Sequence, residues 1–182
     1  MVTSAPFRRT AVAVVLSGAL LTGGTACGSA STQSAGAPSS ASPTSTVEKQ
    51  KLAKTRFVAN AGLAAGATYE WIVKPYKAGK FKKGAHHRTF TVIKAGLAGA
   101  FAYNRLKAAL KNAQADPTLA KAVAPLTAGV NSLKKLPSKL RDGDGNAAGT
   151  FDEVIKSVKD AGKSAGAEVK NKVPSSKELS GS

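Results

Sequence analysis

The sequence predicts an all-α protein, a small bundle of about four helices built on an antiparallel hairpin rich in glycine and alanine. Three observations carry that prediction. Ala, Leu and Lys are abundant while β-branched runs are short, a composition that favours helix. From Val47 onward apolar residues recur at steps of three and four, the spacing of one helical face. Finally, Pro117, Pro125 and Pro137 stand where a helix must start or break.

The first helix is expected over 47–73, with Val58, Ala61, Gly62, Ala65, Tyr69 and Ile72 on its inner stripe. The second is expected over 88–112, through Val92, Gly96, Gly99, Tyr103, Leu106 and Leu110. Ala61-Gly-Leu-Ala64 with Tyr69 is echoed without a gap by Ala95-Gly-Leu-Ala98 with Tyr103. The echo reads as a hairpin whose glycines and alanines form a shared seam, each small-residue stretch closed by a tyrosine. Asp116 before Pro117 is a cap opening a third helix, which Pro125 and Pro137 kink or divide; its stripe is Leu119, Val123, Leu126, Val130, Leu133 and Leu140. Thr150 and Glu153 have the spacing of a capping box. They predict a fourth helix that turns Phe151, Val154, Ile155, Val158, Ala161 and Ala165 inward.

Ahead of this domain lies an export segment. Arg8 and Arg9 precede an uncharged apolar run from Ala11 to Leu21 and then small residues, the layout of a secretory signal over 1–26. The run falls short of the ~20 apolar residues that span a bilayer. The two arginines also hint at twin-arginine export. Leu21-Thr-Gly-Gly-Thr-Ala-Cys27-Gly-Ser29 resembles the lipobox of bacterial lipoproteins, although Gly24 stands where an aliphatic residue is usual. The resemblance implies a lipid thioether on Cys27, a mature N-terminus there, and an address on the outer face of the cell membrane. Simple secretion after ordinary cleavage is the alternative. Cys27 is the chain's single cysteine, and in an oxidising compartment lipidation accounts for a lone thiol. Residues 27–46 are nearly all Ser, Ala, Thr, Gly and Pro, too poor in apolar surface to fold, so a disordered linker is expected. The helical domain then occupies 47–173, with 174–182 expected as a loose tail. Ala-rich, Ser/Pro-tethered and basic, the chain resembles small lipoproteins of actinobacterial type; the resemblance covers signal, lipobox and linker and stops at the helical domain.

Charge is the strongest chemical signal. The chain carries a net +17, unevenly spread. Between Lys49 and Ala115 fourteen Lys or Arg face one acid, Glu70, whereas eleven basic and eight acidic residues follow. The peak is the hairpin connection, where Lys74, Lys77, Lys80, Lys82, Lys83 and Arg88 are interleaved with Tyr76 and Phe81. Such a run can be a mere solvated loop. As a site it fits an anionic surface, either lipid headgroups or wall polymer, at roughly 1 kcal/mol per basic side chain near an anionic membrane. A protein partner remains open. Basic residues among aromatics also suit nucleic acid, which export argues against.

Other chemistry is thin. His86 and His87 are adjacent, not at the spacing of three or four that puts two ligands on one helical face. Asp142, Asp144, Asn146 and Glu153 resemble places one, three, five and twelve of an EF-hand calcium loop. Ala147 and Gly149 break its pattern, so the stretch reads as an interhelical turn with no metal assigned. No catalytic constellation is evident; neither an enzyme nor a cofactor is expected. A small-residue hairpin that inserts into membranes and a calcium module are the alternatives, and Asn60, Glu70, Lys94, Asn104 and Arg105 argue against insertion.

Overall fold

A computed structural model describes residues 46–181. The export segment, Cys27 and the expected linker as far as residue 45 lie outside the described residues, as does Ser182, while Thr46, the last residue of that expected linker, opens the first helix. Among the described residues there is no strand, and the helices pack as a bundle.

The hairpin is long and antiparallel. Helix α1 spans Thr46–Thr68, passes through a single π turn, Tyr69–Val73, and runs on as α2, Lys74–Lys77. Pro75 explains the π turn. In a regular α-helix its ring would collide with the carbonyl four residues back, that of Trp71. Widening the turn relieves that contact: the Lys74 N–H donates five residues back to the Tyr69 carbonyl. Helix α3 spans Arg88–Ala113, matching the expected 88–112, and is the main partner of α1.

The third helix is divided, as its prolines require. Helix α4, Pro117–Val123, opens on Asp116, whose buried carboxylate accepts the Leu119 N–H at 2.8 Å and faces Lys54 at 3.7 Å. A 3₁₀ turn containing Pro125 leads to α5, Thr127–Ser132. A second, Leu133–Lys135, leads to α6, Leu136–Asp142, with Pro137 in its first turn.

The fourth helix starts earlier than expected. Helix α7 spans Gly145–Ser164 and is capped by Asp144, whose side chain accepts the Asn146 N–H at 2.8 Å. The capping box expected at Thr150 is not formed; the Thr150 hydroxyl instead donates back to the Asn146 carbonyl at 3.0 Å. Burial explains the extra turn, because Ala147 and Ala148 both join the core. The stretch from Gly145 to Glu153 is therefore helix, not a cation-wrapping loop.

The C-terminal end also departs from expectation. Helix α7 closes on Gly166 at φ +68°, with the Ala167 N–H reaching back to the Gly162 carbonyl at 2.7 Å, a Schellman-type ending. An extended strap, residues 167–175, then lies along α1, and the Lys172 N–H donates to the Gly62 carbonyl at 2.9 Å. The expected loose tail instead buries Pro174 and forms α8, Ser176–Ser180. A true capping box between Ser175 and Glu178 opens it, and Leu179 enters the core.

The core runs through the whole described part. Phe57, Phe101 and Phe151 are fully buried with Ile72, Leu106, Leu119, Leu133 and Leu140, each large apolar side chain stabilising the fold by about 1.5–3 kcal/mol. Among the described residues the core members run from Ala53 to Leu179. The expected stripes hold in the main, but Phe57, Thr68 and Phe101 are inside as well, while Tyr69 is half exposed. The seam needs a correction too. The alanines Ala61, Ala65, Ala95 and Ala98 are buried, but the glycines look elsewhere. A Cβ on Gly62 would meet the Lys170 carbonyl oxygen at 2.7 Å, and one on Gly66 the Lys172 carbonyl, both in the strap. Gly96 faces Arg141 and the Pro137 carbonyl, and Gly99 faces Leu140 and Phe151.

Candidate anionic-surface site

The loop that closes the hairpin is built by tight turns. Gly79 and Gly84 take left-handed backbone at φ +70° and +81°, where a side chain costs energy. His87 does so as well, at φ +58°, and its carbonyl accepts both the Thr91 N–H and the Thr91 hydroxyl, each at 3.0 Å. These turns fold 78–87 back over the bundle's end.

Arg88 then locks the loop in place. Its Nε donates to the Phe81 carbonyl and its guanidinium NH₂ to the Asp142 carbonyl, both at 2.9 Å. The second acceptor is the last residue of α6, where free carbonyls and the helix dipole favour a cation. Phe81 is buried at 5 % exposure, its ring 5.9 Å from that of Tyr76 in an edge-on contact. The Tyr76 ring covers Gly145, where a Cβ would meet Cζ at 2.9 Å. Residue 145 must therefore stay small for the loop to close against α7.

The eight residues expected to bind an anionic surface thus divide. Arg88 and Phe81 are structural, the first spent on two carbonyls and the second inside the core. Lys74 pairs with Glu70 at 3.0 Å. Lys77, Lys80, Lys82 and Lys83 are exposed, and Tyr76 shows 43 % of its surface. Among the described residues no acid pairs with Lys80, Lys82 or Lys83.

Beside the loop lies a feature that the charge pattern did not reveal. A groove of about 380 Å³ opens between the end of α1 and the start of α3, and Trp71, Phe90 and Lys94 line it with His86, His87 and Lys80. The Lys94 ammonium stands 5.2 Å from the Trp71 ring and 5.9 Å from that of Phe90, within cation–π range. The histidine rings meet edge-on with centroids 3.8 Å apart. A second hollow of about 200 Å³ continues along α3 past Phe90, Ile93 and Leu97 to Leu179 of α8. A signal for this face existed. Phe90, Ile93 and Leu97 have helical spacing of their own, one step off the core stripe of Val92, Gly96 and Gly99.

Among the described residues no group of three or more His, Cys, Asp or Glu could hold a metal ion. Of the calcium-like set, Asp144 is engaged as a helix cap, and Asn146 and Glu153 lie within α7. No helix of the described residues is long and apolar enough to cross a membrane. Fold and surface together define a small all-α bundle with a cationic, partly apolar end. Compared with protein families, curated proteins and solved structures, the chain matches none.

Proposed function

We propose that this chain is an exported lipoprotein, anchored through Cys27, whose helical domain grips an anionic surface with the closed end of its hairpin. It needs no catalytic apparatus for that. The observation that carries the reading is the pinned loop. Arg88 and Phe81 fix its backbone, so Lys80, Lys82 and Lys83 are held on one exposed turn region with no acid paired to them among the described residues. A fixed cationic array loses little conformational freedom on binding and acts on any phosphate or carboxylate surface within a Debye length, about 8 Å at physiological salt.

Reversing Lys80, Lys82 and Lys83 to glutamate tests it. Binding to polyphosphate and to anionic vesicles should fall by about a hundredfold or more at low salt, at roughly 1 kcal/mol for each charge lost. Circular dichroism should be unchanged, since none of the three supports the core. Retention of wild-type binding by the triple variant would overturn the reading. The anchor is tested in cells: the wild type should fractionate with membranes and Cys27→Ser should not.

A further inference from the structure

We propose that the apolar face formed by exposed Phe90, Ile93 and Leu97 beside half-buried Trp71 seats on an anionic lipid bilayer, its side chains entering the boundary between headgroups and acyl chains. The proposal rests on the anionic-surface reading and names which surface the domain meets.

Exposure comes first. Phe90 is 67 % exposed, Ile93 49 % and Leu97 38 %, on successive turns of one helix. A single exposed apolar side chain is ordinary. Here the two hollows along this face share Phe90 and Lys94, so the face is continuous, and a continuous apolar patch marks a protein or membrane contact.

Charge then selects the occupant. Every ionisable side chain lining the two hollows is Lys or His: Lys74, Lys80, Lys94, His86 and His87. A second copy of the chain would set these lysines against their counterparts. The occupant must be apolar and anionic at once, which an anionic bilayer is over its whole surface. Lys94 suits that boundary, since its ammonium stands beside the Trp71 and Phe90 rings on a long stem that can carry it to lipid phosphate. Tryptophan, with an apolar body and one N–H, favours the same depth.

Chain length permits the geometry. From Thr46 to Trp71 the helix is about 40 Å long. Residues 28–45 can extend up to about 60 Å, so an anchor at Cys27 lets the far end of the hairpin come down on the same bilayer. Since no described helix can cross a membrane, this is seating at the interface.

Trp71 is the chain's only tryptophan and reports on the site directly. The full chain is mixed with vesicles of equimolar phosphatidylcholine and phosphatidylglycerol. Trp71 emission should shift to the blue and be quenched by lipids brominated on the acyl chain. Phe90→Ser combined with Ile93→Ser should weaken vesicle partitioning by about tenfold and abolish the quenching, with polyphosphate binding and circular dichroism as in the wild type. If the wild type binds polyphosphate but Trp71 stays unquenched on vesicles, the bilayer seating is overturned while the anionic-surface reading survives. If it binds neither, both fall. If the double variant partitions like the wild type, the apolar face plays no part and the proposal fails.

Discussion

The two halves of the hairpin repeat one sequence and use it differently. Ala61-Gly-Leu-Ala64 in α1 lies under the C-terminal strap, whose backbone presses on Gly62 and Gly66. Ala95-Gly-Leu-Ala98 in α3 lies under α6 and α7, and there Gly96 and Gly99 meet mostly side chains, those of Arg141, Leu140 and Phe151. The central leucines part company as well: Leu63 packs against the core, whereas Leu97 belongs to the exposed face. A glycine in a helix thus marks where something comes close. Whether that something is backbone or side chain, and from which element, depends on the rest of the chain.

Alanine at Gly66 and Gly96, with Gly149 of α7 as an uncovered reference, should separate the cases. Gly66→Ala should be worst, because its methyl would overlap the Lys172 carbonyl and Val173 nitrogen, neither of which can move without lifting the strap. A loss of about 3 kcal/mol is expected in chemical denaturation. Gly96→Ala should cost about 1 kcal/mol, since its nearest neighbours belong to the flexible Arg141 side chain and the Pro137 carbonyl stands at 3.0 Å. Gly149, inside α7, has nothing within 4 Å, so Gly149→Ala should stabilise by about 0.5–1 kcal/mol through helix propensity alone. Equal losses at Gly66 and Gly96 would erase the distinction between a backbone lid and a side-chain lid.

The smallest expected effect belongs to α8. The Glu178 carboxylate is held below its ordinary pKa chiefly by the Ser175 backbone N–H and then by the Ser175 hydroxyl. A carboxyl whose folded pKa is depressed contributes stability above its ordinary titration range and loses it as the pH falls below. Acidification should therefore lower the amide protection factors of Glu178 and Leu179, corrected for intrinsic exchange, before it affects those of α3. The Glu178→Gln variant should remove most of that pH dependence. Simultaneous exchange in both helices would show that α8 has no separate acid-sensitive opening.

Much of the fold was legible because local chemistry set it. Asp116 with Pro117 opens α4, the later prolines divide the third helix, and spacing of three and four placed the cores of α3 and α7. What was missed depended on distant partners. The early start of α7 comes from burial of Ala147 and Ala148, and the strap is stabilised by α1, which its own polar sequence does not announce. The site shows the same limit. Charge identified the loop, yet the inward turn of Phe81 and the use of Arg88 depend on the far-off carbonyl of Asp142. Phe90, Ile93 and Leu97 were visible as apolar residues, but α3 carries two apolar stripes and only packing tells which one faces water.

The strap also sets an order of events. It comes from the opposite end of the described chain to α1, and its contact with Gly62 has high sequence separation, the kind of contact that slows folding. During synthesis the piece that covers the glycine face of α1 is made about 110 residues after Gly62. Until then Gly62 and Gly66 have no lid, and the hairpin lacks part of its enclosure. That delay leaves the glycine face of α1 uncovered until the strap is in place.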